Sequence, residues 1–364
     1  YADYQRIMRK NEAVDFDDLL VLTVQVLAEQ PSLKNQYANQ YQHVMVDEYQ
    51  DTNTAQYALT RMLSDQWRNL MVVGDFSQAI YSWRGADYRN LELLSKDYPD
   101  LTTIKLEQNY RSTQTILKAA SKLISHNRSH PVLDLWTESN GGEQVTIYEA
   151  MDEVGEAQFV SQTIRHQVLM GANYKDFVIM YRTNAQSRAV EESLLREGVP
   201  YVLIGGVRFY SRKEIKDLLA YLRLVANPND SISRERADKI GKRRLVQFEQ
   251  WRSNWTNLMD SMTTLDILES ILTVTNYMDQ FDLKDPDDVA RTENIQELKS
   301  VAVKFPNLRE FLENVALVEQ EATRNLGADQ DRVTLMTLHA AKGLEFPIVF
   351  MVGMEEGLFP HSRA

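Results

Sequence analysis

Short apolar runs alternate with longer amphipathic segments through the first two thirds of the chain. The runs 43–48 (HVMVDE), 69–75 (NLMVVGD), 102–108 (TTIKLEQ), 145–150 (VTIYEA), 177–183 (FVIMYRT) and 201–206 (YVLIGG) are brief and rich in β-branched residues, which predicts buried parallel strands. Between them, 56–65, 114–126, 156–170 and 189–198 carry the wider apolar spacing of helices. The opening segment YADYQRIMRKNEAV also reads as helix. Strand–helix alternation of this kind implies an α/β fold with crossover helices. From Ser211 the texture changes. Ser211 and Glu214 stand at capping-box spacing before a helical run. The segments 245–262, 264–281, 292–305 and 307–322 predict an all-helical block. The string DRVTLMTLHAAKGLEFPIVFMVGM (331–354) then brings strand texture back, so the helical block reads as an insertion inside an α/β domain.

Composition narrows the chemistry. The chain has 364 residues, 43% of them apolar and 25% charged, which suits a globular protein of two or three domains. It has no cysteine, which excludes disulfides, thiolate metal sites and cysteine nucleophiles. Its six histidines show no metal-ligand spacing. No apolar run is long enough to span a bilayer, and no signal-peptide pattern opens the chain. The net charge of −12 argues against a generally basic surface, but a local groove of Lys and Arg still binds phosphates on an acidic body.

Four strings carry candidate chemistry. In VMVDEYQDTN (44–53), Asp47 and Glu48 close a predicted strand, where ligands of open α/β sheets bind. Asp47 is placed to hold Mg²⁺ through water, and Glu48 to orient a water for attack on a phosphate. Gln50 and Asp51 are candidates to brace the site. The alternative is a solvated polar loop after a core strand. In VVGDFSQAIYSWRGAD (72–87), Asp75 ends a second strand and Gln78 follows. Tyr81, Trp83 and Arg84 then interleave rings with a cation, the combination that single-stranded nucleic acid uses for stacking and phosphate contact. The plain alternative is a Tyr-x-Trp pair in a core. In LEQNYRST (106–113), Tyr110 is a candidate to stack on a purine, Arg111 to reach phosphate, and Ser112 to cap the next helix. In VTLMTLHAAKGLEFPIVFMVG (333–353), a strand leads to Thr337 and His339, then Lys342 as a phosphate contact and Glu345 as a partner for a ribose hydroxyl. The phosphate-cradling pattern G-x-x-x-x-G-K-[ST] does not occur in the chain.

At these strings the chain resembles a superfamily 1 DNA helicase of the UvrD/PcrA/Rep type. VDEYQDTN resembles that family's motif II, GDFSQAIYSWRGAD motif III, LEQNYRST motif IV and VTLMTLHAAKGLEF motif V. MYRTNAQSR (180–188), GGVRFYSRKEIKDLLAYLR (205–223), VDFDDLL (14–20) and GMEEGLFPHSRA (353–364) are similar to the family's connecting segments. The resemblance implies roles for individual residues. Asp47 holds Mg²⁺, Glu48 activates the hydrolytic water, and Gln78 couples the γ-phosphate to DNA. Tyr81 and Trp83 stack on bases, and Arg84 links the motif to the nucleotide. Tyr110 stacks on adenine, Arg111 stabilises charge on the γ-phosphate, and Glu345 binds the ribose. Arg182, Asn184, Thr337 and His339 face DNA. ATP and Mg²⁺ are the implied cofactors. Single-stranded DNA and single-strand/duplex junctions are the implied partners, with repair or replication proteins beside them, in a bacterial, nucleoid-associated cytoplasmic setting.

The implied architecture is two RecA-like parallel-sheet lobes, a partial 1A and most of 2A, with an inserted all-helical 2B domain. Residues 1–20 would be the end of the 1B insertion, 21–105 the C-terminal part of lobe 1A, 106–212 the first part of lobe 2A, 213–330 the 2B insertion and 331–364 the rest of lobe 2A. The chain departs from the family pattern in lacking the Gln motif, the Walker A loop and motif VI. The 2B block also reads as short at 231–244, and a second odd join falls at 126–136. The expectation is therefore a piece of a longer motor protein. Two other readings are a non-catalytic DNA-binding or protein-interaction module and the helicase part of an AddA- or RecB-type helicase–nuclease. The chain by itself is expected to hydrolyse no ATP in response to DNA, and robust DNA-stimulated turnover by the purified 364-residue protein refutes this expectation.

Overall fold

The computed structural model describes residues 1–364 except 129, 140, 256–260, 325–330 and 361–364. It divides into two units, Tyr1–Thr146 and Ile147–Ala364. Among the described residues, no helix is long and apolar enough to cross a membrane.

The first unit contains helices α1 (Ala2–Lys10), α2 (Phe16–Glu29), α3 (Pro31–Gln40), α4 (Thr54–Ser64), α5 (Asn90–Asp97) and α6 (Gln114–Ile124), and strands β1 (Val44–Val46) and β2 (Leu70–Val72). The helices start where short polar side chains satisfy the free N–H groups of a first turn. Asp15 and Asp18 form a reciprocal capping box at α2, and Asn53 and Gln56 do the same at α4. β1 and β2 pair in parallel, Val44 opposite Leu70 and Val46 opposite Val72. Val46, Leu70 and Val72 pack on a small core of Tyr49, Tyr57, Leu94 and Tyr98. Met45 and Met71 point the other way and are 74% and 57% exposed, so only one face of this pair is covered.

Two predicted strands are absent. Residues 102–108 and 145–150 run outside any strand, and Ile104, Leu106 and Ile147 are exposed. The backbone there makes a single bridge, Gln108 to Trp136. An apolar β-branched run becomes a strand only when a neighbour takes its N–H and C=O groups along its length, and here Trp136 does so at a single point, its N–H donating to Glu107 O at 3.0 Å.

The second unit begins with α7 (Glu153–Leu169), β3 (Phe177–Tyr181), α8 (Ser187–Arg196) and β4 (Tyr201–Leu203). Among the described residues six α-helices follow: α9 (Lys213–Ala226), α10 (Ser231–Ile240), α11 (Lys242–Trp255), α12 (Thr264–Val274), α13 (Pro286–Lys304) and α14 (Leu308–Arg324). Strands β5 (Val333–Thr337) and β6 (Ile348–Met351) close the unit. The sheet order is β4-β5-β3-β6, and every pairing is parallel. β5 lies between β4 and β3, so the helices α9–α14 interrupt the chain between two neighbouring strands of one sheet. Phe177, Ile179, Tyr181, Val333 and Leu335 form the sheet's core with α7 and α8. The helices have a core of their own, including Leu218, Tyr221, Phe248, Leu268, Leu298 and Phe311. Val318 of α14 packs against both cores.

The start of α9 departs from its sequence pattern. Its N-cap is Arg212, without a side-chain cap, and Ser211 belongs to a 3-10 turn at Phe209–Ser211. Glu214 is taken instead by Asn294, whose Nδ2 donates to Glu214 Oε1 at 2.6 Å.

Leu335 is fully buried in the centre of the second sheet. Leu335→Ala is expected to lower unfolding free energy by about 2–5 kcal/mol. Met45→Lys, on the uncovered face of β1, should change it by no more than about 0.5 kcal/mol. Urea melts of the two variants beside the parent check both, and a large loss at Met45 contradicts the open face.

Candidate functional site

In the first unit the polar residues after β1 and β2 form one hydrogen-bonded path. Asp47 and Glu48 are exposed at the end of β1, and Asp47 Oδ1 accepts the Glu48 N–H at 2.9 Å. Glu48 has φ 50° and ψ 43°, a left-handed conformation uncommon for a residue with a Cβ. It opens a 3-10 turn, Tyr49–Asp51, and the turn buries Tyr49 and Gln50. The buried Gln50 amide works in both directions. Its Nε2 donates to Glu48 Oε2, and its Oε1 accepts the Asp75 N–H at 3.0 Å. An added Cβ at Gly74 would stand 2.8 Å from Gln50 Oε1, so the close approach needs glycine. Asp75 Oδ1 accepts from Ser77 N at 2.9 Å, and Oδ2 from Gln78 Nε2 at 3.0 Å. Glu48, Gln50, Asp75 and Gln78 are thus joined in sequence.

The loop beyond Gln78 carries the aromatic residues. Tyr81 and Trp83 lie 6.5 Å apart, ring centre to ring centre, tilted by 48°. Arg84 lies over both rings, 4.6 Å from Trp83 and 5.5 Å from Tyr81. Trp83 is half exposed. Behind the loop, His130 stacks on Phe76 at 5.8 Å and meets Tyr88 edge-on, a contact that nothing in the sequence pattern announces.

Tyr110 and Arg111 also belong to the first unit. Tyr110 is 85% exposed, and its hydroxyl donates to Gln108 Oε1 at 2.9 Å. Asn109 Oδ1 accepts the N–H groups of Arg111 and Ser112, at 3.0 and 2.7 Å. Ser112 does not cap α6. Thr113 holds the N-cap position, because the Asn109 carboxamide has already closed the turn around Ser112.

In the second unit, Arg182, Asn184, Thr337 and His339 collect beyond the carboxyl ends of β3 and β5. Tyr181 and Thr337 are paired across the sheet, which sets the residues that follow side by side. Arg182 Nη1 lies 3.1 Å from His339 Nδ1, and Thr337 Oγ1 accepts the Ala340 N–H at 3.2 Å. Gln186 holds the turn after β3, its Oε1 accepting the N–H groups of Arg182 and Thr183 at 3.0 and 2.9 Å. Gly353, at φ 68°, leaves room for it. A Cβ there would fall 1.9 Å from Gln186 Nε2. The Gly353 N–H in turn donates to Glu156 Oε1 at 2.9 Å. Burial pushes the Glu156 carboxyl above its ordinary range, and that hydrogen bond offsets part of the rise. Lys342 follows on the turn after β5, its N–H donating to His339 O at 3.4 Å, and Glu345 is exposed between β5 and β6.

No group of three or more His, Asp or Glu side chains converges as a metal cage among the described residues. A magnesium ion that keeps most of its waters requires only one or two carboxylates beside a nucleotide's phosphates. The exposed Asp47, next to Glu48 at a strand end, fits that demand.

Fold and site together describe a parallel-sheet α/β protein with its polar groups gathered at the carboxyl ends of its strands. A model of the UvrD-like helicase C-terminal domain matches residues 104–283 and 248–364, and one of the UvrD/REP helicase N-terminal domain matches residues 1–99. The chain belongs to the UvrD-like helicase family. The ATP-dependent DNA helicase PcrA of Bacillus subtilis (strain 168) is 41% identical to it over 416 aligned positions, covering 100% of this chain and 56% of the relative. PcrA of Staphylococcus epidermidis (strain ATCC 12228) is 40% identical over 415 positions and that of Staphylococcus aureus (strain Mu50) 41% over 416, with the same coverage of 100% and 56%. The chain therefore spans about half the length of the curated relatives it matches. An alignment of 416 positions against 364 residues also leaves at least 52 positions facing no residue of this chain.

The Glu156 carboxyl gives a pH-dependent prediction. Its pKa is raised on folding, so this group favours the folded state most below the ordinary carboxyl range and loses that advantage as pH rises through the folded value. Glu156→Gln keeps an oxygen for the Gly353 N–H and removes the buried charge. Its melting temperature is expected to gain on the parent's between about pH 4 and about pH 7. A difference in melting temperature, variant minus parent, that stays flat or falls with rising pH contradicts the burial of a charge here.

Proposed function

We propose that the chain is part of an ATP-dependent 3′-to-5′ helicase that moves on single-stranded DNA. The observation that carries this reading is the path Glu48–Gln50–Asp75–Gln78, which leads from the strand-end carboxylates to the loop of Tyr81, Trp83 and Arg84. A hydrolytic motor needs such a link, because a change at the phosphates has to reach the groups that grip the strand. The relatives named ATP-dependent DNA helicase support the same reading.

In this proposal Glu48 takes a proton from the attacking water and Asp47 holds the hydrated Mg²⁺. When bound, the ion neutralises charge that develops on the transferred phosphate. Gln78 faces the γ-phosphate, Arg111 stabilises its charge, Tyr110 stacks on adenine and Glu345 binds the ribose. Tyr81 and Trp83 stack on bases, and Arg182, Asn184, Thr337 and His339 are DNA contacts. Base stacking on a ring contributes roughly 1–3 kcal/mol per base, enough to retain a strand between steps. We assign residues 21–105 to lobe 1A after the end of a 1B insertion at 1–20, residues 106–212 and 331–364 to lobe 2A, although 106–146 group with the first structural unit, and 213–330 to the inserted 2B domain. Single-strand/duplex junctions are the substrate, DNA repair or replication restart the setting, and a bacterial cytoplasm the location.

In the longer protein, Glu48→Gln is expected to bind ATP with unchanged affinity and to lose DNA-stimulated turnover by about 10²-fold or more. Turnover that survives the substitution removes Glu48 from its assigned role.

A further inference from the structure

Two buried arginines tie the turn after β3 to helix α13. Arg212 is 7% exposed, and its guanidinium donates four hydrogen bonds. Nε donates to Val207 O at 3.0 Å and Nη1 to Asn294 Oδ1 at 2.6 Å. Nη2 donates to Asn184 O and to Ser187 Oγ, both at 2.9 Å. Asn294 lies buried on α13 and is fixed in turn by Glu214. Arg188, 2% exposed, makes the second tie. It pairs with Glu192 at 3.1 Å on its own helix and with Glu297 on α13. Asn294 and Glu297 are three residues apart and share one face of α13. A buried guanidinium that loses an acceptor pays a desolvation penalty with no return, so these forks hold their partners in one arrangement. Lysine cannot replace them, because a single ammonium does not span acceptors set in a planar fork.

The turn held in this way carries Arg182 and Asn184. Gln186 fixes it from the side of Gly353, and Arg212 from the side of α13. We propose that α13 is a positioning strut for the strand-gripping turn 182–186, acting through Arg212 on Asn294 and Arg188 on Glu297. Arg212 and Arg188 are positioning residues, too buried to touch DNA themselves. The inference rests on the reading of this turn as DNA-facing. It adds that the grip depends on a helix that lies more than a hundred residues away in the chain, inside the helical segment.

The test uses the 364-residue chain, a fluorescent oligo(dT) and anisotropy titrations over a range of salt, with hydrogen exchange measured on the peptide 182–187. Arg182→Ala tests the DNA reading. It should weaken binding and flatten the slope of log K against log salt by about 0.7 for one lost phosphate contact. Arg212→Lys should weaken binding about tenfold with the slope unchanged, since several hydrogen bonds to a charged group are lost but no phosphate contact. Exchange at 182–187 should speed up while β3 and β5 keep their protection, which a general loss of stability would not produce. Glu297→Gln, at a partly exposed position, is the milder variant should Arg212→Lys not fold, and about a threefold loss is expected. If Arg182→Ala weakens binding and neither Arg212→Lys nor Glu297→Gln changes binding or exchange, the strut is wrong and the DNA reading stands. If the parent does not bind oligo(dT), or Arg182→Ala binds as the parent does, the DNA reading fails and the strut falls with it.

Discussion

Parallel pairing sends the carboxyl ends of neighbouring strands to the same edge, and in each unit the candidate residues, apart from Tyr110 and Arg111, follow strands that end in this way. In β1 and β2 the register Val46 to Val72 brings Asp47-Glu48 and Gly74-Asp75 out together. In β3 and β5 the register Tyr181 to Thr337 does the same for Arg182 and His339, whose side chains then meet. A one-residue slip of β1 against β2 would turn one strand's apolar side chains away from the core, and the packing of Val46, Leu70 and Val72 there opposes it.

What the strands bring together, buried amides and guanidiniums hold. Gln50 is 1% exposed and reaches both the Glu48 carboxylate and the Asp75 backbone, so the two strand-end loops cannot shift independently without stranding a polar group. Arg212 has the same relation to the 182–186 turn and α13. The two devices differ in their cost of failure. A stranded amide leaves a neutral polar group without a partner, whereas a guanidinium that loses acceptors leaves a buried charge short of hydrogen bonds. The second unit's turn is the more tightly specified of the two.

The parts of the fold legible in the sequence are those where local pattern and final environment agree. FVIMY is continuously apolar and becomes a strand buried on both faces. TTIKLEQ and VTIYEA, where Ile104, Leu106, Val145 and Ile147 fall at alternate positions, form no strand, because pattern encodes preference while pairing needs a neighbour. The acidic and aromatic strings were legible by type and spacing, and the expected bracing role of Gln50 was legible as well. Its acceptor contact with Asp75, 25 residues on, was not. Arg188 and Arg212 gave no signal at all. Their partners Glu297 and Asn294 lie 109 and 82 residues away, and a lone Arg in a helix or at its start looks like surface. Ser211 and Glu214 spelled a capping box, but a buried Asn294 outcompeted the cap for Glu214.

The helical segment between β4 and β5 closes a core of its own. Helices α10 and α11 meet at Gly241, whose φ of 154° and ψ of 122° are open chiefly to a residue without a Cβ. On either side of this join Ala237 and Phe248 are fully buried, and the Phe248 ring lies 4.9 Å from that of Tyr221 on α9. Interiors tolerate little empty volume, and Phe248, Tyr221 and Trp251 pack ring against ring in this core. From this packed core α13 presents Asn294 to Arg212 and Glu297 to Arg188, beside the turn after β3.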